Sequence, residues 1–283
     1  MKVQANVHGA ISLVNAIATG KGATLGIDLT VQAEIENKPG KGITIESENK
    51  SLSSRLINRT VEKMVPKKEL DKNKINIFLK SEIPTGYGLK SSSAISSAIA
   101  LGCAKLFRNK INDSQVLLAG VDASIETKVS ITGAYDDACA CYFGGFTITD
   151  NYRRKLVHTE KCPKNLVAVI FIPRSRKRGN VKNLSSLKSV FEKAWNLAKD
   201  SDYWNAMILN GLATSSILNS DPQLISDLIE RGALGASVSG NGPSIAAVTK
   251  RENATSVKKV FTSMEGRIVI AELNNKKADV HEL

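Results

Sequence analysis

A chain of 283 residues is long enough for one or two domains with a sizeable core, at about 150 residues per domain, and so is no mini-fold held by disulfides or a structural metal. Hydrophobic residues at 42% and charged residues at 23% are globular values that exclude wholesale disorder and fibrous repeats. Lys and Arg number 39 against 27 Asp and Glu, a formal charge of +12 that points to an anionic partner: nucleic acid, nucleotide or phosphorylated metabolite.

Residues 1–15 mix Lys2, Gln4, Asn6 and His8 among apolar neighbours, so no secretory core is read there and a cytoplasmic location is expected. Ile27, Leu29, Val31, Ala33 and Ile35 alternate with polar residues, the period of a strand with one wet face. Residues 37–42 turn the chain, and residues 43–46 are expected as the hairpin partner of that strand. A helix is expected over 51–65, a strand over 75–80, a small-residue helix from Ser91 through Ile95, Ala98, Ile99, Gly102 and Leu106, and another helix over 112–129. The pattern breaks over 152–163, which places a boundary between a domain of residues 1–157 and one of 158–283. Residues 166–172 form the most continuous apolar strand and end at Pro173, far short of the ~20 residues of a membrane span, so no membrane partner is expected. Helices follow over 187–198, 203–218 and from Asp221-Pro222 to Gly232, then strands over 236–239 and 244–249, a helix over 253–264 and a strand over 267–273. Both halves are therefore α+β. Cys103, Cys139, Cys141 and Cys162 lack C-x-x-C spacing, so buried reduced thiols are expected rather than zinc.

The chemistry concentrates in Pro84-Thr85-Gly86-Tyr87-Gly88-Leu89-Lys90-Ser91-Ser92-Ser93-Ala94, a glycine loop between a strand and a helix start. Gly86 and Gly88 permit positive φ and close approach of a ligand, while the free N–H groups of the helix start favour an anion. Leu89 before Lys90 departs from a Walker A loop, and Ser91 stands at the last glycine of a dinucleotide fingerprint. Phosphate binding and a serine-capped helix after a tight turn both fit this spacing.

The segment resembles the phosphate loop of the GHMP small-molecule kinases, which include galactokinase, homoserine kinase and mevalonate kinase. Gly235-Ala236-Ser237-Val238-Ser239-Gly240-Asn241-Gly242-Pro243-Ser244 is similar to their C-terminal motif. Thr132-Gly133-Ala134-Tyr135-Asp136-Asp137-Ala138, with Gly144-Gly145 beyond it, is similar to their middle motif. Asn15-Ala16-Ile17-Ala18-Thr19-Gly20-Lys21-Gly22, Lys90 in the glycine loop and the double aspartate look like the archaeal-type shikimate kinases within that superfamily. The resemblance implies a two-domain GHMP architecture, an N-terminal mixed α/β domain followed by a ferredoxin-like α+β domain. It also implies ATP and shikimate as partners, Mg2+ as cofactor and shikimate 3-phosphate as product, in a monomer or homodimer that binds no nucleic acid.

On that resemblance the loop from Pro84 to Ala94 holds the nucleotide phosphates, and Lys90 either adds a cation or points to solvent. Ser92 is a magnesium ligand or a helix cap, and Glu126 a magnesium ligand or a solvated helix-end glutamate. Asp136 is placed at the acceptor hydroxyl with Asp137 as the alternative, and Ser239 and Gly240 at the substrate. The substrate carboxylate is assigned to Lys21, Arg174 and Arg176, with Arg174 expected nearest the cleft and Lys21 reading equally as an exposed turn lysine. The run 174–178 reads first as an exposed loop and second as an anion clamp, and His8 as a structural residue before a stand-in for a missing N-terminal cation. Two readings compete: homoserine kinase within the superfamily, and a basic RNA-binding module outside it. The second lacks a stacking aromatic pair on any strand.

Overall fold

In the computed structural model, which describes residues 1–48 and 53–283, the alternating segment lies within a long strand, β2 (Lys21–Pro39). Its inward side chains meet those of β1 (Lys2–Val14) across an antiparallel ladder that opposes Val3 to Ile35, Ala5 to Ala33 and Val7 to Val31. All six are fully buried. β1 alternates only from Lys2 to Val7, because from Val7 onward every residue is buried, and a strand covered on both faces loses the period of two.

Residues 43–46 do form a strand, β3 (Gly42–Ser47), but not the expected hairpin. The edge of β2 is occupied by β4 (Asn73–Ser81), which sets Ile77 opposite Ile35, so β3 pairs with β4 in parallel, Ile43 with Ile75 and Ile45 with Ile77. A parallel pair needs a crossover, and the segment carrying α1 (Ser54–Met64) and the single turn α2 (Lys67–Leu70) provides it. Ser53 Oγ accepts from the Leu56 N–H and starts α1 there; positions 51–52 of the expected helix lie outside the described residues.

α3 (Ser91–Phe107) and α5 (Tyr135–Phe143) pack on this sheet, and α4 (Asp113–Glu126) packs against α1, α3 and α5. The small residues of α3 allow close contact: a Cβ at Gly102 would stand 2.7 Å from Ile35 Cδ1. The sheet then continues through β5 (Phe146–Asp150), which pairs with the start of β2, and β6 (Lys155–Glu160), which pairs with β5. The boundary expected between 157 and 158 therefore falls inside β6. A second, antiparallel sheet is ordered β10-β7-β9-β8, from β7 (Leu166–Pro173), β8 (Ala233–Val238), β9 (Ile245–Lys250) and β10 (Gly266–Glu272). It carries α6 (Lys188–Lys199), α7 (Tyr203–Ile217), α8 (Gln223–Glu230) and the short α9 (Ala254–Lys259), where a helix to 264 was expected. The chain then returns to the first sheet, with β11 (Asp279–Glu282) on the free edge of β1. One core cluster runs through both sheets. No described helix is long and apolar enough to cross a membrane.

Candidate active site

The loop between β4 and α3 is built by backbone conformations that favour glycine. Gly86 and Gly88 have φ of 84° and 83°, and Lys90, the residue before α3, is left-handed as well. Ser91, Ser92 and Ser93 then open a helix whose first N–H groups have no partner within it. With Gly86, Gly88 and Lys90 they line a cavity of about 270 Å³, shared with Ser12, Asn15, Asp136, Asp137, Arg178 and Gly240. Pro84, Thr85, Tyr87, Leu89 and Ala94, assigned to the nucleotide with the rest of the loop, do not line it; Leu89 and Ala94 point into the core.

The loop is locked to the second sheet. Ser239 Oγ donates to the Gly88 carbonyl at 2.9 Å and accepts from the Ser12 N–H at 3.2 Å. Ser239 is thus fully buried and spent on backbone, which corrects its placement at the substrate. Gly240 does line the cavity, donating its N–H to Ser12 Oγ at 3.0 Å and accepting from Asn15 Nδ2 at 2.7 Å.

Gly133 and Ala134, with φ of 79° and 52°, turn the chain into α5 and set both aspartates in its first turn, where the helix dipole favours negative charge. Asp136 is 4% exposed. Its Oδ1 accepts from Asn151 Nδ2 at 2.7 Å and its N–H donates to Asn151 Oδ1 at 3.0 Å. Asn151 is itself held by Thr149 Oγ1 at 2.8 Å and by the Gly20 carbonyl at 2.7 Å. A Cβ at Gly22 would stand 2.3 Å from Asp136 Oδ2, so the glycine there makes room for the carboxylate. Burial pushes the Asp136 carboxyl up to about 7, and the charge of Asp137 pushes the same way, while the Lys90 ammonium and the Asn151 bond oppose them. Asp137 Oδ1 lies 2.9 Å from Lys90 Nζ.

Several expected residues are engaged elsewhere. Glu126 is an exposed helix end gripped by Arg59 and Lys63, whose charges hold its carboxyl below the usual range. It does not line the cavity, which corrects its assignment to magnesium; Ser124, one helical face away, lines it instead. Glu126→Gln is accordingly expected to change the magnesium dependence and kcat by less than about threefold, as for a surface ion pair; a tenfold rise in the magnesium requirement would return Glu126 to the site. Lys21 pairs with Glu192 and sits 4.9 Å over the Trp195 ring, outside the cavity lining. His8 pairs with Asp28 at 3.1 Å, burial pushing its pKa down, and lies outside the lining too.

The basic run is exposed, and the cation that reaches the cavity is not the expected one. Arg174 continues β7, its N–H bonded to the Glu265 carbonyl, and is exposed outside the cavity lining. Arg176 lies 5.1 Å over the Tyr87 ring. Arg178 lines the cavity, with Nη1 3.3 Å from the carbonyls of Asn241 and Gly242. Ser12, Asn15, Asn151 and Arg178 were not singled out as site residues, because single small polar residues and one arginine among several carry no spacing signal.

A helix start and a buried carboxylate facing one cavity, closed from behind by a second sheet, suit transfer of a phosphoryl group to a small molecule. The family described as GHMP kinases N terminal domain matches residues 55–145. The fold agrees along the whole chain with a homoserine kinase from Cytophaga hutchinsonii, at TM-score 0.76 and 20% identity, covering 99% of this chain and 97% of that one. The molecule is a kinase of the GHMP class. A shikimate kinase from Methanosarcina acetivorans is 36% identical over 95% of this chain and 93% of its own length, and one from Methanothrix thermoacetophila is 33% identical over 98% and 96%. The chain belongs to the shikimate kinase family.

Proposed function

We propose that the cavity takes ATP with its phosphates against the start of α3 and transfers the γ-phosphoryl group to the 3-hydroxyl of shikimate. The observation that carries this is Asp136, buried and facing the same cavity as the free N–H groups of Ser91 to Ser93. Phosphoryl transfer needs an in-line donor and acceptor and stabilisation of moving charge more than covalent help. The helix start and the glycine backbone hold the phosphates. The acceptor oxygen attacks the γ-phosphorus as the bond to ADP breaks, and Asp136 receives the hydroxyl proton. A carboxylate raised toward 7 is matched to that task at neutral pH.

Magnesium accompanies the nucleotide in this reading. Ser92 remains of the expected pair, and among the described residues no three His, Cys, Asp or Glu surround one point, so phosphates, water and Ser92 fit a cation that keeps most of its hydration. Bound there, it neutralises phosphate charge.

The substrate carboxylate is assigned to Arg178, the residue of the basic run that lines the cavity, since a planar guanidinium fork matches a carboxylate. Arg178→Lys is expected to raise the shikimate KM by roughly 10- to 150-fold, the equivalent of about 1.5–3 kcal/mol for a charge-assisted pair, with the ATP KM nearly constant. Arg174→Lys should leave both unchanged. Equal shikimate KM values in the two variants would move the carboxylate elsewhere. The reaction itself is checked by 31P NMR of the purified protein with ATP, magnesium and shikimate. A phosphomonoester signal equal in amount to ADP is expected, and ADP formed together with free phosphate alone would contradict transfer to shikimate.

A further inference from the structure

Lys90 stands where the backbone favours glycine. Its φ of 65° and ψ of 23° are left-handed, a conformation that costs a residue with a Cβ and persists where the surroundings over-determine it. What the chain gains is the side chain, which is 4% exposed and runs inward to put Nζ 2.9 Å from Asp137 Oδ1 and 2.7 Å from Ser12 Oγ. A Cβ at position 240 would stand 2.8 Å from that nitrogen, so Gly240 leaves room for it.

Counting donors shows what the arrangement can still bind. An ammonium has three N–H groups; Ser12 takes one, Asp137 faces the charge as an ion pair, and Lys90 lines the cavity. Ser12 Oγ accepts from both Lys90 Nζ and the Gly240 N–H, which fills its two lone pairs and leaves its own proton to donate. Ser12 also lines the cavity. A fixed cation and a hydroxyl donor therefore converge on the space next to Asp136, whose carboxyl the Lys90 charge pulls down.

We propose that Lys90 is a catalytic residue whose ammonium contacts the transferring phosphoryl group, with Ser12 as the positioning residue that fixes Nζ. The proposal rests on the kinase reading of the cavity. As the acceptor oxygen bonds to the γ-phosphorus and the bond to ADP breaks, the acceptor proton passes to Asp136 and negative charge spreads over the phosphoryl oxygens and the leaving oxygen. Lys90 forms and breaks no bond; it faces that charge from a site already stripped of water, where a preorganised donor is worth most.

The test is Lys90→Gly, which relaxes the left-handed residue and is expected to fold, as circular dichroism melting would show. kcat should fall by about 10² to 10³, the usual effect of losing one such donor, with both KM values within about threefold. The acidic limb of kcat/KM should move to higher pH, because Asp136 loses the cation that pulls it down. Ethylammonium, which brings N–H donors, should restore part of kcat in a saturable way, and tetramethylammonium should not. Should the glycine variant fail to fold, Lys90→Met, which keeps the hydrocarbon stem, should show the same loss and the same pH shift. A folded variant with wild-type kcat, or a lost kcat with an unmoved acidic limb, overturns the proposal. Failure of the kinase reading would look different: the wild type would then release no ADP with shikimate.

Discussion

Asp136→Asn is expected to lower kcat by about 10² or more, the usual contribution of a positioned acid or base, while the protein stays folded. The amide keeps the volume and still bonds Asn151, so the first turn of α5 and its link to Gly20 survive. What is lost is the proton acceptor. The pH profile provides a second check. In the wild type kcat/KM should rise with pH and level off above about 7, since the carboxyl raised to about 7 by burial accepts a proton only when ionised; the variant should lack that limb. Stability should move the opposite way. A carboxyl with a raised folded-state pKa favours the native state below its unfolded pKa and loses that contribution as pH rises through the folded value. The variant should therefore melt higher than the wild type above pH 7, and the gain should shrink toward pH 4. Asp137→Asn should cost less in kcat, because that carboxylate is already paired with Lys90. A larger loss at 137 than at 136 would exchange the two roles.

Gly88→Ala is expected to lose activity and to melt several degrees below the wild type, and Gly88→Val more so. A Cβ at position 88 would stand 1.9 Å from the Ser239 carbonyl oxygen and 3.2 Å from the Gly242 nitrogen. The obstacle is thus backbone of the second sheet's turn, which cannot step aside as a side chain can. Added to the cost of a side chain at φ 83°, the displacement should amount to about 1–3 kcal/mol beyond the backbone strain alone. Gly86→Ala is the control. Its φ of 84° carries the same strain, but the nearest atom to its Cβ is Arg176 Nη1 at 3.7 Å. Thermal melting and ATP KM measured on both separate strain from collision: equal losses at 86 and 88 would contradict the lock between the loop and Ser239.

Elements were legible where a regular period or a continuous apolar run marked them, as in β2, α3 and β7. β2 showed its alternation, and α3 showed a stripe of small residues that meets Ile35 at Gly102. β1 was not read as a strand because its alternation stops at Val7 and gives way to continuous burial, and the partner of β3 was misjudged because sheet order depends on β4, far along the chain, taking the edge of β2. The short α5, β5, β6 and β11 hold too few residues for a period to register. At the site, the glycine loop was legible in the spacing and Asp136 through the resemblance of its segment to the family's middle motif, and both line one cavity. Motif spacing did not separate Arg178 from Arg174, since which cation reaches the cavity depends on where the loop crosses Asn241 and Gly242. Nor did it place Glu126, whose partners Arg59 and Lys63 come from another helix.

Coupled ADP release from the wild-type protein, with ATP and magnesium saturating and shikimate, homoserine and mevalonate supplied in turn, separates the possible acceptors. The kcat/KM for shikimate is expected at least about 10²-fold above either competitor, the discrimination that arises when a site pairs its buried polar groups with only one of the acceptors. Turnover of homoserine or mevalonate with shikimate ignored would contradict shikimate as the acceptor.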